Sequence, residues 1–172
     1  MSLATVDYAV LNRQDGGNSI NLGYSIAESE HVYVNSNHLP KRWSTHFRTH
    51  RYFILAEAGF GNGLNFLNTA RHFQQHCSSS QQLWYYAIEK TPFCLTDLRR
   101  ILSSFPELST VAAKLIEQYP ARFRGWHHLQ FCNINLILIF DHLEHALKQL
   151  RETNILDDAW YLDEAPAAAP EA

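Results

Sequence analysis

Tyr52-Phe53-Ile54-Leu55-Ala56-Glu57-Ala58-Gly59-Phe60-Gly61-Asn62-Gly63-Leu64-Asn65-Phe66-Leu67 decides how this chain folds. Tyr52 to Ala56 is an apolar run rich in aromatic and β-branched residues, the composition of a parallel strand covered on both faces. Glu57 closes the run with a carboxylate. Gly59, Gly61 and Gly63 permit positive φ and leave no Cβ between the backbone and a ligand. Leu64, Leu67, Ala70 and Phe73 or Phe66 then recur at helical spacing, so a helix follows with its N-terminus aimed at the loop.

A strand, a glycine loop and a helix in this order form a nucleotide-type cradle at the carboxyl end of a sheet. Here the pattern is E-x-G-x-G-x-G, not the G-x-G-x-x-G that holds a pyrophosphate. A carboxylate before the glycines would repel a diphosphate and suits a ligand that carries a cation and hydroxyls. S-adenosylmethionine, with its sulfonium, amino group and ribose, is such a ligand. Glycines after a strand can also make no more than a tight turn.

The 172 residues amount to one domain with room for a substantial core. No apolar run is long enough to span a membrane, and Met1 to Asp7 lacks the basic and apolar regions of a secretory signal. Cys77, Cys94 and Cys132 are odd in number and scattered, so a reducing cytoplasm is expected rather than a disulfide framework. A net charge of −3 means that any nucleic-acid binding rests on a local patch.

Residues 1–45 lack helical periodicity and read as a small β-rich arm. Val6 to Leu11 and Ile20 to Tyr24 flank the turn signal Asp15-Gly16-Gly17-Asn18, and His31 to Val34 is a further extended piece. Lys41, Arg42, Trp43, Arg48 and Arg51 place basic and aromatic residues before the central strand, as a solvated rim or part of a nucleic-acid surface. The core is expected over residues 46–163. Leu83 to Glu89 reads as a second buried strand, and its terminal Glu89 lies roughly twenty-odd residues past the glycines, where the ribose-binding acid of nucleotide folds stands.

Thr91-Pro92 has the chemistry of a helix start, with Leu95, Leu98, Ile101 and Leu102 as the buried stripe. Pro106 opens another helix. Trp126 to Phe131 and Ile134 to Phe140 flank Cys132-Asn133 as a hairpin. Asp141 to Leu150 is helical, and Ala159 to Asp163 is a last strand with a terminal carboxylate. Residues 164–172, rich in alanine and proline, are expected to be disordered. Strands alternating with helices argue a doubly wound α/β sheet.

His72 with His76, and His142 with His145, have chelating spacings, but further ligands are not evident and no metal site is expected. His127 and His128 beside Arg122 and Arg124 could touch a phosphate, but loop residues of a solvated basic rim are the favoured reading.

The segments Ala56 to Leu67, Glu89-Lys90-Thr91-Pro92, Phe105-Pro106-Glu107-Leu108 and Asp158 to Asp163 resemble the methyltransferase domain of the bifunctional tRNA 5-methylaminomethyl-2-thiouridine biosynthesis proteins, the MnmC family. Weaker similarity runs from His31 to Trp43. The resemblance implies a Rossmann-like, S-adenosylmethionine-dependent methyltransferase sheet and methylation of the aminomethyl group of wobble uridine in the tRNA anticodon loop. It implies cofactor contacts from Glu57, Gly59, Phe60, Gly61, Asn62, Gly63 and Asn65, with Glu89 and Lys90 at the ribose side. Asp163 matches the catalytic strand-end acid beside the amine to be methylated.

Two departures stand out. The family has Gly-Asp after its hairpin strand, where the acid approaches the adenine; here Phe140-Asp141-His142 stands, so Asp141 has shifted by one or the contact is lost. After Asp163 the family's Gly-Phe pair is replaced by Glu164. The family's sheet continues beyond its fourth parallel strand and an oxidase half follows, so this sheet is expected to be incomplete at its C-terminal end. A partner chain or oxidase domain would complete it. The alternative expectation is a catalytically inactive remnant serving as a binding or assembly module.

Overall fold

The computed structural model describes residues 26–153 and 158–162. In chain order, α1 (Ile26–Ser29) runs into a π-helical turn (Glu30–Asn35) and α2 (Leu39–His46). The core follows: β1 (Tyr52–Ala58), α3 (Leu64–His76), β2 (Gln82–Glu89), α4 (Leu95–Leu102), a 3-10 turn (Pro106–Leu108), α5 (Ser109–Gln118), β3 (Gly125–Phe131), β4 (Ile134–Phe140), α6 (Leu143–Glu152) and β5 (Ala159–Leu162).

The strands form one sheet in the order β3-β4-β2-β1-β5. β1, β2, β4 and β5 are parallel, and β3 pairs antiparallel with β4 through the turn at Cys132, whose φ is +55°. The chain builds outward from β1 to β2 and β4, then crosses back to lay β5 on the other side of β1. That reversal puts a crevice at the carboxyl ends of β1 and β5, the place where doubly wound sheets bind ligands. The α/β architecture read from the sequence is therefore the one observed.

Burial explains the strand sequences. Ile134–Phe140 is buried at every position because β4 lies between two strands and is covered on both faces. β3, at the edge, buries Leu129 and Phe131 but exposes the alternating His128 and Gln130. One face of the sheet carries the main core, where Phe53, Leu55, Phe66, Leu67, Phe73, Tyr85, Leu136 and Leu138 join Leu98, Ile101 and Leu115. On the other face Ala146 and Leu150 of α6 cover Ile88, Ile137 and Ile139.

Three local expectations are corrected. His31 to Val34 lies in the π-helical turn and is not extended, because Tyr33 and Val34 are drawn into the core, Tyr33 tilted against Tyr161 with ring centroids 4.8 Å apart. The first helix after β2 begins at Leu95 and not at Thr91-Pro92, since Glu89 accepts hydrogen bonds from both the backbone N–H and the hydroxyl of Thr91. α6 starts at Leu143, leaving Asp141 and His142 ahead of it. The expected strands within residues 1–25 and the tail 164–172 lie outside the described residues.

Gly63, at φ +77°, is tightly packed: a Cβ there would lie 2.7 Å from Cζ of Phe60 and 3.3 Å from a methyl of Leu115. Gly61, at φ +53°, has nothing within 4 Å of the same position. Gly63→Ala should therefore destabilise the fold by about 2–5 kcal/mol, left-handed strain plus overpacking. Gly61→Ala carries only the strain, about 1–2 kcal/mol. Urea unfolding of both variants checks the order.

Candidate functional site

The loop from Gly59 to Gly63 folds over the end of β2. The N–H groups of Gly59 and Phe60 both donate to the carbonyl of Ile88, at 2.9 and 3.2 Å. The next donor, Gly61 N–H, reaches Oε2 of Glu89 at 2.8 Å, while Oε1 of Glu89 accepts from Thr91 N–H at 2.7 Å. The acid read from the sequence as a ribose partner thus also clamps the glycine loop. Asn62 accepts from Leu64 N–H at 3.0 Å, serving an otherwise unpaired donor at the start of α3. Gly59 is exposed, and Gly61, Asn62 and Glu89 are half-buried.

Beneath the loop lies a buried polar chain. Ser29 Oγ donates to Asn65 Oδ1 at 2.8 Å, Asn65 Nδ2 donates to Glu57 Oε1 at 2.9 Å, and the hydroxyl of Tyr85 donates to Glu57 Oε2 at 2.8 Å. Glu57 is only 1% exposed. Burial is the dominant effect on its carboxyl and pushes the pKa up to about 8 from an ordinary 4.5, against the two hydrogen bonds and with a small addition from the charge of Glu89. Alongside, the hydroxyls of Tyr161 and Thr69 bond at 2.9 Å, and the Tyr161 ring meets that of Tyr85 edge-on at 6.1 Å. Phe60 is also buried, tilted against Phe66 at 6.3 Å, so its ring lies under the loop.

A second group stands at the end of β4. Arg124 Nε donates to Asp141 Oδ1 at 2.8 Å, its Nη2 bonds the same oxygen, and His142 N–H adds a bond of 2.6 Å. The Arg124 guanidinium, chiefly through this hydrogen bonding, holds the Asp141 carboxyl below its usual range. Asp141 lines a cleft of about 180 Å³ with Lys90, Pro92, Arg122, Arg124, Phe140 and His142.

The structure thus brings Glu57 to Asn65, Gly61 to Glu89, and Lys90 to Asp141. Asp163 lies outside the described residues; the preceding Leu162 pairs with Ala58, directly before Gly59. His72 and His76 stack at 5.9 Å, with His72 facing Glu30 at 3.3 Å, and no metal-holding group of three His, Cys, Asp or Glu is present among the described residues.

Tyr85 and Ser29 are site components that sequence reading missed, as is the hold of Arg124 on Asp141. Tyr85 was accessible by strand alternation, since it shares the inward parity of Leu83 and Ala87. Ser29 and Arg124 reach their partners across 36 and 17 residues and carry no local signal.

With its proton retained in the folded state and lost in the unfolded chain, Glu57 makes a pH-dependent contribution. That contribution is full below pH 4.5, falls by about 1.4 kcal/mol per pH unit as pH rises towards about 8, and levels off above. Glu57→Gln, which keeps the shape without the titration, should remove this slope. Chemical denaturation from pH 5 to 9 measures it, and equal slopes in both proteins would contradict the assignment.

No family model matches the chain. Curated relatives do. The tRNA 5-methylaminomethyl-2-thiouridine biosynthesis bifunctional protein MnmC of Pseudoalteromonas translucida is 37% identical over 85% of this chain. The same-named proteins of Aeromonas hydrophila and Pseudoalteromonas atlantica are 34% identical over 99% and 39% identical over 84%. The chain spans only 24%, 28% and 21% of the length of these three relatives. Among solved structures, MNMC2 from Aquifex aeolicus superposes with a TM-score of 0.55 at 19% identity, covering 80% of this chain and 39% of that one, which supports the shared fold. Identity of this order along most of its length places the chain in the MnmC family, of whose longer members it matches about a quarter.

Proposed function

We propose that the chain binds S-adenosylmethionine at the glycine loop and takes part in methylating the aminomethyl group of modified wobble uridine in tRNA. The observation that carries this reading is the clamp of Gly61 N–H on Glu89, with open space where a Gly61 Cβ would stand. The backbone is thereby fixed beside an acid at the carboxyl edge, with no side chain in the way. The relatives' role in tRNA 5-methylaminomethyl-2-thiouridine biosynthesis gives the substrate class.

The donor set fits the cofactor. Oε1 of Glu89 accepts both the N–H and the hydroxyl of Thr91, while Oε2 accepts Gly61 N–H and retains acceptor capacity for a ribose hydroxyl. Gly59, Gly61 and Asn62 offer a close backbone approach, with Gly63 packed on Phe60 and Leu115 behind them; Glu57 and Asn65 hold the loop from below, and Lys90 and Asp141 line the cleft on the adenine side. When bound, S-adenosylmethionine supplies an electrophilic sulfonium methyl. The chain itself must present the acceptor amine without its extra proton, because an ammonium has no lone pair to attack with. Asp163 fills this role, its carboxylate accepting the proton and holding the neutral amine in line. A soluble, cytoplasmic setting accords with such a substrate, and no helix among the described residues is long and apolar enough to cross a membrane.

A second reading is favoured by the outer strand. Among the described residues β5 pairs only with β1, and Leu162 is 65% exposed. In that reading the chain binds without transferring methyl, as an assembly module whose sheet a partner chain or oxidase domain completes.

Transfer of labelled methyl from S-adenosylmethionine to tRNA bearing the unmethylated aminomethyl group separates the readings. The enzyme reading predicts incorporation, with Asp163→Asn lowering kcat by about a hundred-fold or more. A folded chain that binds cofactor and transfers nothing is the module.

A further inference from the structure

An exposed phenylalanine lies between two arginines that line the cleft beside Asp141. Phe123 is 75% exposed, the most exposed of the large apolar side chains described, and is flanked by Arg122 and Arg124. Its backbone is pinned on both sides: Phe123 N–H donates to the carbonyl of Ala121 at 2.7 Å, and the Phe123 carbonyl meets Nε2 of His127 at 2.8 Å. Arg124 is anchored on Asp141. The ring is therefore held out by a shaped loop. Further along the chain Trp126, 40% exposed, is held by its indole N–H on Gln149 at 2.6 Å.

Around this ring the charge is positive. Lys90 and Arg122 are exposed, line the same cleft and have no ion pair among the described residues, while the one acid lining that cleft, Asp141, is matched by Arg124. A planar apolar ring set among cations is the chemistry that holds an unpaired base by stacking and its phosphates by charge. Duplex RNA hides its base faces and has no use for the ring. Phe and Arg also serve protein interfaces, but Lys is depleted there, so Lys90 in the same cleft favours RNA.

We propose that the Arg122-Phe123-Arg124 loop, with Lys90 opposite, is a binding site for single-stranded RNA, an unpaired base stacking on Phe123 and neighbouring phosphates lying on Arg122 and Lys90. The proposal rests on the tRNA reading above for its ligand class and adds the residues that grip the unpaired loop.

The test is fluorescence anisotropy with a labelled RNA hairpin carrying an unpaired loop and with a blunt duplex of the same composition, over a range of salt. The hairpin should bind more tightly than the duplex. Phe123→Ala should weaken hairpin binding by about ten-fold or more, Phe123→Trp should retain it, and Arg122→Ala should lower the slope of log affinity against log salt by about one. Equal affinity for hairpin and duplex overturns the proposal. So does an unchanged affinity in Phe123→Ala, or the absence of RNA binding by a folded chain, which would include a loop that serves a protein partner.

S-adenosylhomocysteine titrated into wild type and Phe123→Ala keeps the two claims apart. Cofactor binding equal in both, with RNA binding lost only in the variant, supports both. Phe123-dependent RNA binding without any cofactor binding sinks the methyltransferase reading and leaves the loop site standing. Cofactor binding with Phe123-independent RNA binding sinks the loop site alone.

Discussion

A carboxyl group sealed beneath a glycine loop is the constraint on which the carboxyl edge of this sheet depends. Glu57 sits where β1 ends, too deep for water, and an unpartnered polar group at that depth would cost several kcal/mol. Asn65 from α3 and Tyr85 from β2 satisfy it, and Ser29 ahead of the core satisfies Asn65 in turn. The network ties the helix after the loop to the strand before it. Gly59, Gly61 and Gly63 can then turn at positive φ without the loop losing its shape.

Above that network Glu89 completes the edge. Had its carboxylate pointed to solvent, the loop and the end of β2 would be joined only through the carbonyl of Ile88. Because Gly61 N–H is drawn onto it, the acid and the backbone that would face a ligand are placed relative to one another before any ligand arrives. Preorganisation of this kind lowers the ordering cost of binding. The Arg124–Asp141 pair does similar work at the end of β4, holding an acid at the cleft while the neighbouring cations remain free of ion pairs among the described residues.

Much of this was legible in the sequence, and the failures have physical causes. The apolar runs at Tyr52 and Leu83, the all-apolar Ile134–Phe140 and the helical spacing after Gly63 each carry a period that only one kind of element satisfies, and all appear as expected. His31 to Val34 misled because Val-Tyr-Val has strand propensity; contacts of Tyr33 and Val34 with the core override it. Thr91 misled because a capping residue can serve a neighbouring acid instead of a helix. Glu57 and Glu89 were found as strand-end acids. Their division of labour, one buried as a support and one half-exposed at the edge, depends on partners from other elements and could not be read locally.

The central claim is that the loop and Glu89 together make a preformed cofactor cradle, and calorimetric titration with S-adenosylhomocysteine tests it most directly. Wild type should bind in the micromolar range, and Glu89→Ala, folded by circular dichroism, should lose at least about ten-fold in affinity, the scale of a hydrogen bond to a charged group. A folded wild-type chain that gives no heat of binding, or a variant that binds as tightly as wild type, would contradict the account.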